Sequence, residues 1–273
     1  MRPHYPDRLR ALAETATPAA VHHVYGDDAQ QWAELRLPDG RGPHPVAVLV
    51  HGGYWRALWH ADLMNALAVD LCNRGLATWN LEYRRLGNPG GGWPGTFDDA
   101  GAGTDALVDV AARARLDLGR VLVVGHSAGG QLALWLAARH RLAAGLPGAG
   151  PRLTPRGVVS LAGVCDLAEA ARQRLSDGAA VELLGGTPEE VPERYAAASP
   201  AELAPLGVPQ VLVHGEDDDL VPVAMSRRQL DVATAAGDEA RLLLIPGADH
   251  FDLIDPASAA WATTVDALSD LYL

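Results

Sequence analysis

Residues Val123–Leu132 read VVGHSAGGQL. An apolar run ends at Gly125, a serine stands at position 127, and an apolar helical pattern starts directly behind it. The run VLVV at Val121–Val124 does not alternate with polar residues, as expected of a strand covered on both faces. A strand that turns sharply into a helix needs small residues around the turn, because larger side chains there would collide. Gly125, Ala128 and Gly129 supply them. The turn presents Ser127 above the sheet, at the positive end of a helix.

Outward from this turn, short apolar runs alternate with longer helical patterns. That order predicts an α/β fold with a mostly parallel central sheet and helices on both faces. Strands are expected at Trp32–Leu37, Val46–His51, Leu76–Leu81, Val121–Gly125, Gly157–Leu161, Gln210–His214 and Arg241–Ile245, with a weaker one at Val21–Tyr25. Helices are expected at Asp62–Arg74, Thr96–Leu116, Ser127–His140, Val223–Ala236 and Pro256–Leu271. Thr96 and Asp99, three residues apart, have the form of a helix-start box. Residues 163–206 break the alternation with prolines, alanines and short helical pieces. They read as a lid inserted within a single domain spanning residues 1–273, over the carboxyl ends of the strands where open α/β folds bind ligands.

A serine hydroxyl needs a general base to act as a nucleophile. Two later strands lead into HGEDDDLVP at His214–Pro222 and PGADHFDLID at Pro246–Asp255. The order serine, acid, histidine is that of a strand-end triad, so Ser127, Asp218 and His250 are the expected catalytic set. Asp218 is preferred over its neighbours Asp217 and Asp219 for its place in D-x-x-V-P, and Asp249 and Asp252 read as loop-shaping residues. After the strand at Val46, the stretch His51-Gly52-Gly53-Tyr54-Trp55-Arg56 is the expected oxyanion loop. The N–H groups of Gly53, Tyr54 and Ala128 are its candidate donors. Tyr54, Trp93 and Phe251 are candidate substrate contacts, and the glycine-rich Gly87–Gly95 loop is expected to line the pocket with them. His51 reads as a support for the oxyanion loop, His126 as a local packing residue, Glu82 and Arg84 as a buried pair, Trp55 as packing and Cys165 as a small apolar filler.

With these motifs in order, the chain resembles the α/β-hydrolase superfamily over nearly its whole length. It looks most like the arylformamidase (kynurenine formamidase) branch and its carboxylesterase relatives. HGGYW at His51–Trp55, EYR at Glu82–Arg84, GHSAG at Gly125–Gly129, SPAEL at Ser199–Leu203 and DHFDLID at Asp249–Asp255 carry the likeness. The resemblance implies an α/β-hydrolase fold and hydrolysis of a small aryl formamide or carboxylic ester through an acyl-enzyme, with no cofactor and no metal. Acyl-peptidases share the triad but commonly carry an extra domain. An acyltransferase or lyase on the same scaffold, or a binding protein that has lost its chemistry, are the other readings. Some formamidases are metal enzymes with an H-x-x-x-D spacing, which His214 and Asp218 match, but Pro222 stands where a further histidine would be needed.

Composition limits the partners. The 273 residues carry 22 basic and 34 acidic side chains, a net charge of −12, so nucleic acid and anionic membrane are expected to be repelled. All the basic residues are Arg, which excludes a lysine nucleophile. Cys72 and Cys165 make no disulfide framework, and the charged N-terminal stretch Met1–Pro18 has no signal-peptide pattern. No apolar run is long enough to span a membrane. The expected setting is cytoplasmic, the partner a small-molecule substrate, and the assembly a monomer or homodimer.

Overall fold

In the computed structural model, the described residues are Asp7 and 20–272. The N-terminal stretch read above for targeting thus lies almost wholly outside them. Eight strands form one sheet: β1 (Val21–Val24), β2 (Trp32–Arg36), β3 (His44–Val50), β4 (Ala77–Leu81), β5 (Leu116–His126), β6 (Gly157–Leu161), β7 (Gln210–Gly215) and β8 (Ala240–Ile245). Their order is β1-β2-β4-β3-β5-β6-β7-β8. β1 pairs antiparallel with β2 and β2 antiparallel with β4, while every later pairing is parallel. The weak strand signal at Val21 is therefore a real edge strand. Low apolar content weakened it, because Val21 and Val24 face solvent.

Alternate residues of the central strands feed two cores, as the period-2 geometry of a strand requires. Val46, Val48, Val50, Val121 and Val123 point to one face, where they meet Phe97, Leu107, Leu132 and Trp135. These four come from α2 (Gly95–Asp105), α3 (Leu107–Ala114) and α4 (Ala128–Ala138). Ala47, Leu49, Leu122 and Val124 point to the other face. There they meet Leu67 and Leu71 of α1 (Asn65–Asn73), and Trp261 and Leu268 of the C-terminal helix Ala259–Tyr272. Burial on both sides is what makes the strands uniformly apolar.

The helix expected over Thr96–Leu116 is broken at Ala106 into α2 and α3. The Trp79 indole N–H donates to the Gly103 carbonyl at 2.9 Å, occupying the acceptor that the Leu107 N–H would use in an unbroken helix. Leu116 already belongs to β5. Thr96 and Asp99 do not cap the helix either. The Thr96 hydroxyl donates to Arg84 O at 2.6 Å and accepts from Gly92 N at 3.0 Å, and Asp99 binds the Arg84 backbone and guanidinium.

Between β6 and β7 the chain forms α5 (Leu167–Arg172), α6 (Leu175–Leu184), α7 (Pro192–Ala198) and α8 (Pro200–Leu203). Side chains of α4 tie this stretch down: Gln131 Nε2 donates to Ala198 O at 2.9 Å and Trp135 Nε1 to Ala197 O at 2.9 Å. After β7 come α9 (Ala224–Ala235) and, past β8, α10 (Ala259–Tyr272). Among the described residues no helix is long and apolar enough to cross a membrane.

Candidate active site

Ser127 lies between β5 and α4 with φ 58° and ψ −121°, a conformation that surrounding structure must impose. Its N–H donates to Leu161 O at 2.7 Å, and its carbonyl accepts from Gly130 N at 2.9 Å. The flanking glycines are there for space. A Cβ at Gly125 would lie 2.0 Å from Gly129 O, and one at Gly129 would lie 2.1 Å from Val50 O. Gly130, which the sequence motif does not include, is equally constrained: its Cβ would meet Ser160 Oγ at 2.7 Å and Gly163 Cα at 2.8 Å.

His250 follows β8 in a tight turn. Asp249 Oδ1 accepts from Phe251 N and Asp252 N, so the loop-shaping reading of these acids agrees with their bonds. His250 Nδ1–H donates to Asp218 Oδ2 at 2.6 Å. The other carboxylate oxygen accepts the N–H groups of Leu220 and Val221, each at 2.9 Å. Burial works against ionising Asp218, but hydrogen bonds from His214 and His250 outweigh it and hold the carboxyl well below the usual range. Behind His250, the His126 Nε2–H donates to the His250 carbonyl at 3.0 Å. Burial, followed by the proximity of His250, pushes His126 well below the usual histidine value, so its ring is neutral.

The loop after β3 lies against the serine, since a Cβ at Gly52 would come within 2.8 Å of Ser127 Cβ. Gly53, Tyr54 and Trp55 all have positive φ (105°, 48° and 55°), and a Cβ at Gly53 would run into the Trp59 ring. His51 fixes this unusual path. Its Nδ1 lies 2.8 Å from Gly52 O and its Nε2 lies 2.9 Å from Glu82 Oε1. With the Gly52 carbonyl held toward His51, the Gly53 N–H of the same trans peptide points the opposite way. The N–H groups of Gly53, Tyr54 and Ala128 donate to no acceptor among the described residues.

Glu82 is wholly buried and anchors the assembly. Burial disfavours its charge, yet His51, His60 and Arg85 together hold it well below the usual carboxylate range. The expected Glu82–Arg84 pair is replaced by Glu82–Arg85 at 2.9 Å, while Arg84 pairs with Asp99 at 2.7 Å. β4 ends at Leu81, so the strand alternation that would set Arg84 on the same side as Glu82 no longer holds, and Arg85 reaches the carboxylate instead.

Ser127, His126 and His250 line one cavity of about 50 Å³, with Gly53, Tyr54, Trp59, Leu63, Leu220 and Phe251. Of the three expected substrate contacts, Tyr54 and Phe251 are among these lining residues. Trp93 and the Gly87–Gly95 loop are not among the lining residues. The Trp93 ring packs against Phe97 at 5.2 Å and its backbone N–H donates to Leu183 O in α6. The loop's glycines serve close packing: a Cβ at Gly91 would lie 1.9 Å from Arg85 O. Trp59 and Leu63 carry no motif and Leu220 fills an unspecified position of D-x-x-V-P, so only tertiary packing reveals that these three line the site. The Tyr54 hydroxyl donates to Leu220 O at 2.6 Å, joining the loop after β3 to the loop after β7. Burial and then Asp218 push this phenol up to about 12. Cys165 is buried and pushed up to about 12 by that burial, consistent with an inert filler.

A family model described as BD-FAE matches residues 34–231, from β2 into α9. The chain belongs to the BD-FAE family. Its fold is the α/β-hydrolase fold, shared with a truncated carbohydrate esterase from gut microbiota (TM-score 0.80, 19% identity, covering 94% of this chain and 97% of that one). Esterase B from Lactobacillus rhamnosis superposes similarly (TM-score 0.78, 23% identity, covering 97% and 91%). Among curated proteins, the probable isoprenylcysteine alpha-carbonyl methylesterase ICME of Oryza sativa subsp. japonica is 27% identical over 84% of this chain and 57% of its own length. The Arabidopsis thaliana ICME is 26% identical over 84% and 56%. The chain thus spans a little over half the length of the curated relatives it matches.

Proposed function

We propose that the chain is a serine hydrolase of short-acyl carboxylic esters, with Ser127 as nucleophile, His250 as general base and acid, and Asp218 as the acid that orients it. The observation that carries this reading is one cavity lined by both Ser127 and His250, with the His250 ring bonded at 2.6 Å to the ionised Asp218, whose carboxylate side chain is buried. Asp218 on Nδ1 leaves Nε2 as the basic nitrogen, which takes the Ser127 proton as the hydroxyl attacks the acyl carbon. The negative charge formed on the carbonyl oxygen meets the free N–H groups of Gly53, Tyr54 and Ala128, each worth on the order of 3 kcal/mol in such a site. His250 returns the proton to the departing alcohol. Water activated by the same nitrogen then releases the acid and restores Ser127.

The cavity's size supports a short acyl group. At about 50 Å³, walled by Trp59, Leu63 and Phe251, it is far smaller than a drug-sized pocket of roughly 300 Å³. The plant relatives are described as methylesterases, which accords with a carboxylic ester as substrate. A formyl group is smaller still, so the same cavity favours aryl formamides as the second reading. The insertion of residues 163–206 is read as a cap clamped to the oxyanion loop, since Arg56 binds Glu182 at 2.8 Å and Ser176 O at 3.0 Å.

A fluorophosphonate probe should label the wild-type protein at Ser127, and p-nitrophenyl acetate should be hydrolysed. Ser127→Ala should abolish both. Full turnover by Ser127→Ala would refute the assignment. An N-formyl arylamine run beside the acetate ester separates the two substrate readings.

A further inference from the structure

His214 stands near the end of β7, outside the chemistry above, yet both of its ring nitrogens are engaged. Nε2 lies 2.9 Å from Val221 O and 3.3 Å from Asp218 Oδ2, and Nδ1 lies 2.7 Å from Ser226 Oγ in α9. Both oxygens facing Nε2 are acceptors, so the hydrogen sits there, and Nδ1 accepts from the Ser226 hydroxyl. Asp218 Oδ2 is the same oxygen that receives the His250 N–H.

We propose that His214 is a positioning residue, a second imidazole N–H on the acid that limits how strongly Asp218 holds the protonated His250 ring. The proposal rests on the triad reading above. Backbone N–H groups of Leu220 and Val221 occupy Oδ1, so Oδ2 alone is shared between the two imidazoles. A donor on a carboxylate oxygen withdraws charge from it and leaves less for a neighbouring donor. Ser226 holds His214 in the tautomer that makes this possible, and the bond to Val221 O closes the acid loop around it.

The other groups around the pair are accounted for. His126, whose ring centre is 4.5 Å from that of His250, is neutral through burial. Tyr54 is a neutral phenol, and Asp217, Asp219 and Asp249 are exposed to solvent. Asp252 is turned into the backbone of its own turn, where it accepts from Asp249 N.

The test measures kcat/KM against pH with p-nitrophenyl acetate for wild type, His214→Phe and His214→Gln. Removing the donor strengthens the hold of Asp218 on the His250 cation, so the acidic limb for His214→Phe should move upward by roughly half a unit to one unit. His214→Gln, which keeps an amide donor, should return toward the wild-type limb. An unchanged limb in His214→Phe with only a lower melting temperature would overturn the proposal. A second measurement needs no variant: ¹⁵N-histidine NMR of the wild type should find His214 protonated on Nε2 and not on Nδ1, and the opposite tautomer would overturn the proposal. If the wild type is not labelled at Ser127, the triad reading itself fails, a distinct result.

Discussion

His126 shows how a residue beside Ser127 is tied to stability. Burial keeps its ring well below the ordinary value of 6.5, so the folded chain holds it neutral while the unfolded chain protonates it. A depressed folded-state value means that the stabilisation is complete above about 6.5 and drains away as pH falls toward the folded value. The melting temperature should therefore decline from pH 7 to pH 5, and His126→Asn should lessen that decline, as calorimetry at stepped pH would record. Ser127, Asp218 and His250 were legible in the sequence because each follows a strand in a fixed order. His214, Trp59 and Leu63 were not, since their roles arise from contacts between segments far apart in the chain. Glu82 was found and its partner missed, because the side of the chain from which Arg84 or Arg85 emerges depends on backbone direction.

At the level of elements, the central strands β3, β5, β6 and β7 were legible because two-sided burial writes itself as largely apolar runs, a reason that does not extend to the partly exposed β2 and β8. Helix ends and breaks fared worse. The interruption at Ala106 depends on Trp79 reaching Gly103, a tertiary bond with no local signal. The His51–Arg56 loop is held through its own His51, which a buried charge cluster of Glu82 and Arg85 anchors from behind. Glu82→Gln would leave Arg85 buried without a counter-charge, at a cost of about 3 kcal/mol. Denaturant unfolding should show that loss, with kcat falling as His51 loses its anchor.

For the whole molecule, the four loops that build the site all leave the carboxyl ends of parallel strands, β3, β5, β7 and β8, while the antiparallel edge β1–β2 contributes no lining residue. Their joint product is a narrow recess whose wall includes Trp59. Trp59→Ala should raise the hexanoate-to-acetate ratio of kcat/KM by on the order of tenfold, read from a p-nitrophenyl ester series. The stitching of the elbow has a practical corollary. Ser127 is fastened through its main chain, from N–H to Leu161 and from carbonyl to Gly130, Gln131 and Val164, and the hydroxyl takes no part in those bonds. Trimming that one oxygen away therefore leaves the recess intact but inert, a bait able to hold an unbroken natural ester for extraction and mass spectrometry.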